Sequence, residues 1–146
     1  MEIKPLIENR NYRNEHTEGL LQIAYRTDNT YPHRGCFNCW GFTLFMHGEL
    51  PEPKWVDDAR MMQYLRQLPQ VQYGELQPGD IIAYFEEVGR HREFLIHTAI
   101  YLSDDVIVHK PGMRKLEISH AFKNCYAGNA TIRYYRPQRV VSWIIS

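Results

Sequence analysis

The stretch Gly35-Cys36-Phe37-Asn38-Cys39-Trp40-Gly41-Phe42-Thr43-Leu44-Phe45-Met46-His47-Gly48 decides how the rest of the chain is read. A loop runs into a thiol, and the thiol opens a short apolar helix. Asn38 is a good N-cap residue, because its side-chain oxygen accepts one of the free N–H groups of a first helical turn. Cys39 then stands where unpaired N–H groups and the helix dipole favour negative charge, which predicts a lowered thiol pKa. Phe42, Leu44, Phe45 and Met46 are apolar enough to bury the helix, and Gly48 is its expected C′ residue.

Composition bounds what can face that thiol. With 146 residues the chain is expected to be one domain, residues 1–146, able to bury a single core. A formal net charge of +0 points to no nucleic acid. No apolar run is long enough for a membrane span. Met1-Glu2-Ile3-Lys4-Pro5 lacks the apolar core of a secretory signal, so the chain as encoded reads as cytoplasmic, with signal-independent export the other route. Three cysteines suit a reducing compartment better than a disulfide framework.

On the N-terminal side, Leu20, Leu21, Ala24 and Tyr25 share a face of a helix from about Asn14 to Tyr25. On the C-terminal side, Pro51-Glu52-Pro53 breaks the chain. A third helix is predicted from Lys54 to about Leu68, with Trp55, Val56, Ala59, Met62 and Leu65 on one face. The pattern then changes. Pro78 and Gly79 occupy the centre of a type II turn. Strands are predicted over Ile81–Phe85, Phe94–Leu102, Val106–His109, Lys115–Ile118 and Thr131–Tyr135. Val140 to Ile145 reads as either a last strand or a docked end. N-terminal helices packed on a mainly antiparallel sheet make an α+β fold.

The strand Phe94–Leu102 carries the second piece of chemistry. Alternation places His97 with Ala99 and Tyr101 on one face. An odd loop centred on Ser103 would set His97 and His109 directly opposite each other; an even loop would send His109 to the other face. In the first case the chain holds a thiol, a base and a group that orients the base, the three parts of nucleophilic catalysis. Cys39, His97 and His109 fill those roles in that order. The Cys39 backbone N–H supplies oxyanion stabilisation, with the Tyr31 hydroxyl as a second donor. Trp40 borders the site: facing the cleft it would narrow the substrate, and facing inward it is core.

These motifs resemble the NlpC/P60 family of cysteine peptidases. Asn38-Cys39-Trp40-Gly41-Phe42 is similar to that family's Asp-Cys-Ser-Gly-Phe/Leu signature, and Leu76-Gln77-Pro78-Gly79-Asp80-Ile81 to its Leu-x-Pro-Gly-Asp-Leu turn. His97-Thr98-Ala99-Ile100-Tyr101-Leu102 resembles His-Val-Gly-Ile-Tyr-Leu, and His109 stands where the family has its third polar residue. The resemblance covers roughly Asn14 to Tyr135. It implies a papain-like fold and cleavage of an amide bond in a bacterial cell-wall (peptidoglycan) peptide, with a muropeptide or other peptide as partner and no cofactor. Asn38 for Asp, Trp40 for Ser and Ala99 for Gly depart from the pattern beside the substrate, so amide chemistry carries over better than cell-wall specificity. The same triad also serves an acyltransferase or a deamidase, and the fold also serves a non-catalytic binding or effector module.

Plainer roles compete for each residue. A lone cysteine in an apolar helix is usually structural, and a lone strand histidine is usually a satisfied core residue. Cys36 and Cys39 form a C-x-x-C pair, but a structural zinc would need a second tight ligand pair, so no metal is expected. Cys125 reads as inert, and Glu86 to Glu93 and His33-Arg34 as solvated.

Overall fold

The computed structural model describes residues 15–31 and 37–137. Cys36, His33-Arg34 and the tail from Val140 to Ile145 lie outside the described residues. Among the described residues three α-helices lead into a six-stranded antiparallel sheet: α1 (Glu15–Thr30), α2 (Cys39–Met46), α3 (Asp58–Arg66), then β1 (Gln70–Val71), β2 (Ile81–Glu87), β3 (Glu93–Ser103), β4 (Val106–His109), β5 (Glu117–His120) and β6 (Thr131–Tyr135). The strand order is β1-β6-β2-β3-β4-β5, so β2 and β3 are central. The chain is therefore α+β, as its residue pattern predicts.

Each face of the sheet is closed by different material. Leu20, Leu21 and Ala24 of α1 and Phe42 and Met46 of α2 pack on Ile100, Leu102 and Val108. Leu44 of α2, with Val56, Met61 and Leu65, covers Ile81, Ala83, Phe85 and Leu95. On the other face Ile82, Tyr84, Ala99, Tyr101 and Ile107 are covered by a segment without helix or strand that contains Ala121, Phe122, Tyr126 and Ala127. Burying both faces explains why β2 is an unbroken apolar run from Ile81 to Phe85 instead of an alternating one.

Several local expectations change. α1 runs five residues past Tyr25, to Thr30, where the Thr27 hydroxyl bonds back to the Ile23 carbonyl at 2.7 Å. α3 starts at Asp58 and not at Lys54, because Asp57 is its N-cap and accepts from the Arg60 N–H at 2.8 Å. Lys54 to Val56 stay outside the helix, held against the start of α2. Trp55 therefore leaves the predicted core face and is 60% exposed, Ala59 is exposed too, and Met61 joins Leu65 as the buried residues of the helix, with Met62 partly buried beside them. β5 is displaced toward the C-terminus, from Lys115–Ile118 to Glu117–His120. The Pro78-Gly79 turn forms as expected: Gly79 has φ of 97° and the Asp80 N–H closes onto the Gln77 carbonyl at 3.0 Å. Asp80 behind it is buried and takes both a Gln77 N–H and the Arg136 guanidinium.

Candidate active site

The start of α2 is fixed by Asn38. Its Oδ1 accepts the Gly41 N–H at 3.0 Å, the expected N-cap bond, and also the Val56 N–H at 3.1 Å. Its Nδ2 donates to the Val56 carbonyl at 2.7 Å. One amide thus caps the helix and pairs with both backbone groups of Val56, which a carboxylate cannot do because it lacks the donor. Gly41 completes the joint: a Cβ there would lie 1.6 Å from the Lys54 carbonyl oxygen, so only glycine fits. At the other end His47 is the C-cap and Gly48 follows with φ of 74°, as predicted. The buried His47 ring accepts from or donates to the Tyr64 hydroxyl at 2.9 Å and the Gly79 carbonyl at 3.0 Å, and burial pushes it down to about 4. The carbonyl can only accept, so Nε2 carries the proton and Nδ1 accepts from Tyr64. Cys39 therefore sits on a helix anchored at both ends.

The histidines come together through two irregularities. The turn after β3 has two residues, Asp104 and Asp105, both with positive φ (52° and 61°), the signature of a type I′ hairpin. Its first pair is Ser103 with Val106, and a regular ladder from there would place His109 across from Ile100, on the helix face. The register shifts between Tyr101 and Ser103, so Tyr101 pairs with Ile107 and Ile100 with Val108. Extended one step, this register sets His109 across from Ala99 and restores it to the face of His97. The two rings are thus diagonal neighbours, not directly opposite ones, and the loop is even, not odd. A second shift lies between Tyr84 and Phe85: Tyr84 pairs with His97 but Phe85 with Leu95, leaving Ile96 as a bulge. It lets Leu95 face the helices while His97 faces away from them.

His97 Nε2 lies 2.7 Å from His109 Nδ1, and both side chains are 1% exposed. Tyr126 stacks flat on His97, ring centroids 3.7 Å apart at 8°. Tyr84 flanks the same ring at 5.7 Å. Burial, then the neighbouring His109, holds the His97 imidazole well below its ordinary value. Burial, then Arg114, brings His109 down to about 4. Both rings are neutral near pH 7. His109 Nε2 is buried without a hydrogen-bond partner among the described residues.

The start of α2, with its thiol, lies along an open edge of the sheet. The β3–β4 ladder begins at Ile100 and Val108, so from Thr98 back to Glu93 β3 has a strand neighbour only on the β2 side. α2 docks there: the Thr43 hydroxyl, bonded to the Cys39 carbonyl at 3.0 Å, lies 2.8 Å from the Thr98 hydroxyl. The Thr98 backbone N–H, immediately after His97, hydrogen-bonds the Cys39 sulfur. No hydrogen bond joins that sulfur directly to an imidazole among the described residues. Tyr126, stacked on His97, and Lys110, next to His109, both lie within electrostatic reach of the Cys39 sulfur. Lys110 is buried, donates to the Arg114 carbonyl and stands 5.2 Å over the Phe37 ring.

The expected lowering of the thiol pKa is corrected by this environment. Burial pushes Cys39 up to about 11, while the N–H groups of Thr98, Trp40 and Cys39, and then Lys110, pull the other way without offsetting it. A helix start that would favour a thiolate in water is here partly buried, and the loss of hydration outweighs the helix-start N–H groups. Near neutral pH Cys39 is thus held as the thiol.

Of the other predicted site residues, Tyr31 is half-buried against the cluster of Leu20, Ala24 and Phe42, with its N–H on the Thr27 carbonyl at 2.9 Å. No hydrogen bond ties it to Cys39 among the described residues. Trp40 packs against the cluster of Leu44, Val56 and Met61, and its indole N–H is buried without a partner among the described residues. Tyr126, Thr98 and Lys110 did not stand out in the sequence. Lys110 had a signal, as the neighbour of His109; Tyr126 had none, because its segment has neither strand nor helix periodicity. Among the described residues no group of three His, Cys, Asp or Glu side chains is placed to hold a metal ion, and no helix is long and apolar enough to cross a membrane. No known protein family model matches the chain, and no curated protein matches it significantly.

Proposed function

We propose that the chain is a thiol hydrolase, a cysteine peptidase or amidase of the NlpC/P60 kind, working through Cys39, His97 and His109. The observation that carries this reading is the sulfur of Cys39 on the Thr98 N–H, one residue from an imidazole bonded at 2.7 Å to a second imidazole.

The chemistry follows from the ring nitrogens. With His97 Nε2 turned to His109, Nδ1 is left to take the Cys39 proton. That requires Nε2 to carry the ring proton and donate it to His109 Nδ1, so His109 fixes the tautomer. As the S–H bond breaks, its electron pair stays on sulfur and attacks the substrate carbonyl. Helix-start N–H groups stabilise the oxyanion. Collapse expels the amine, which takes the proton from His97, and water then cleaves the thioester by the same path. The neutral resting pair makes His97 a general base and not half of a preformed ion pair.

The substrate this reading favours is an amide bond in a bacterial cell-wall peptide. Purified muropeptides, other cell-wall peptides and glutamine-containing proteins, incubated with wild type and Cys39→Ala and read by product mass, test it. Cys39-dependent hydrolysis of a muropeptide supports it. Ammonia loss from glutamine without chain cleavage, or transfer to an added amine, would assign the triad to deamidation or transfer. No Cys39-dependent product from any of them would favour a binding module.

A further inference from the structure

We propose that Tyr126 is a positioning residue of the thiol–imidazole pair: its ring is the fixed face on which His97 rests, and against which the imidazolium forms when His97 takes the Cys39 proton. The inference rests on the reading of Cys39 and His97 as nucleophile and base, and adds a residue that no sequence motif marks.

The geometry is that of a built platform. A centroid separation of 3.7 Å at 8° is a parallel stack, closer than most aromatic pairs approach. Tyr126 also meets His109 nearly edge-on, at 6.1 Å and 84°, so one ring braces both members of the histidine pair. The tyrosine itself is held from two sides. Asn124 Oδ1 accepts the Tyr126 N–H at 2.8 Å, while Asn124 Nδ2 donates to the His120 carbonyl at 2.9 Å and the Tyr84 hydroxyl at 3.1 Å. Tyr84, whose ring flanks His97, donates its hydroxyl to the Ala121 carbonyl at 2.7 Å. The Gly112 N–H bonds the Tyr126 hydroxyl from the segment after His109. The segment carrying Tyr126 is thus tied to the sheet through a residue that also touches His97.

A buried imidazole taking a proton needs its new charge met. The groups against the His97 ring are Tyr84 from β2, His109 from β4 and Tyr126 from the segment after β5, while the Cys39 sulfur lies on the N–H of the next residue, Thr98. None is a carboxylate. His109 meets the charge as a hydrogen-bond acceptor, and the electron-rich face of Tyr126 is the remaining favourable contact. In the transfer the Cys39 S–H bond breaks, its electron pair stays on sulfur, and the proton moves to His97 Nδ1. The thiolate and the imidazolium form together, and the stacked face stabilises the second.

Tyr126→Leu keeps apolar volume and removes the π face; Tyr126→Phe keeps the face and removes the hydroxyl. The experiment measures the rate of Cys39 carbamidomethylation by iodoacetamide against pH, resolved by peptide mass, with His97 ring titration by NMR on the same variants and thermal unfolding as the check on folding. The inference expects Tyr126→Leu to slow Cys39 labelling roughly tenfold near pH 7 and to move its pH midpoint up, with the His97 ring harder to protonate. Tyr126→Phe is expected to recover most of the rate and the ring titration. Equal losses in both variants would give the role to the hydroxyl and overturn the inference. A Leu variant that folds and keeps the wild-type profile overturns it too, leaving the Cys39–His97 reading intact if His97→Ala still slows the reaction. Labelling indifferent to His97→Ala removes that reading, and the inference with it. If Tyr126→Leu does not fold, the NMR titration of Tyr126→Phe still decides: a His97 ring displaced from its wild-type titration contradicts a role carried by the ring face.

Discussion

His97 Nε2 and His109 Nδ1 stand 2.7 Å apart although the hairpin that joins them has an even turn. The register shift between Tyr101 and Ser103 cancels the phase error of the turn, and the pair meets diagonally across the two strands. The contact between the two imidazoles thus depends on a backbone irregularity as much as on the histidines themselves. His109→Ala, which removes the acceptor for His97 Nε2, is expected to slow Cys39 carbamidomethylation about ten- to a hundredfold. His109→Asn, which retains an acceptor, should recover part of it. Indifference to both substitutions would leave His109 as a core residue.

Asn38 is expected to resist replacement by the chemically closest residue. Asn38→Asp keeps the acceptors for Gly41 and Val56 but sets a carboxylate against the Val56 carbonyl, now 2.7 Å from the amide nitrogen. Leaving that carbonyl unpaired costs about 1–3 kcal/mol. Urea unfolding of the variant at neutral pH measures it. A midpoint equal to wild type would show that the amide donor contributes nothing to the joint.

Gly41→Ala should do more damage, because backbone and not a flexible side chain stands 1.6 Å from the new Cβ. The Lys54 segment must move, and Asn38 with it. A loss of about 3 kcal/mol or more in urea unfolding is expected, on the order of an overpacked core, together with slower Cys39 labelling. An alanine variant of wild-type stability would mean that the α2–Lys54 contact is loose.

These outcomes bear on what was legible in the sequence. β4 and β6 have the predicted bounds, since Val106–His109 and Thr131–Tyr135 are short apolar runs between turn residues. The cap by Asn38, the Gly48 end of α2 and the Pro78-Gly79 turn also follow from local rules. The start of α3 did not, because Lys54 to Val56 are held by Asn38 and Gly41, residues far upstream. The thiol environment differs from the local expectation for a similar reason: helix-start polarity is local, but burial depends on what α2 packs against. Tyr126 reaches His97 from a segment whose shape is set by Asn124 and Tyr84, and no periodicity announces such a contact.

The buried histidines predict acid lability. His47 is held at about 4 against 6.5 when unfolded. Its contribution is fully present above pH 6.5 and is lost as pH falls toward 4, on the order of 3 kcal/mol for a shift of this size. His109 acts in the same direction and window, down to about 4. Urea midpoints from pH 7.5 to 4 should therefore fall steeply, and His47→Gln should flatten the slope even if it lowers the midpoint at pH 7.5. An unchanged slope would assign the acid lability to other groups.

The central claim is that His97 takes the proton of Cys39. Its most direct test is the rate of Cys39 carbamidomethylation in wild type and His97→Ala at pH 7, with the exposed Cys125 as the internal reference. Because burial raises the Cys39 thiol to about 11, an unassisted sulfur there would react slowly. The account predicts that His97→Ala slows Cys39 at least tenfold and leaves Cys125 unchanged. Equal Cys39 rates in the two proteins, with both folded, would contradict it.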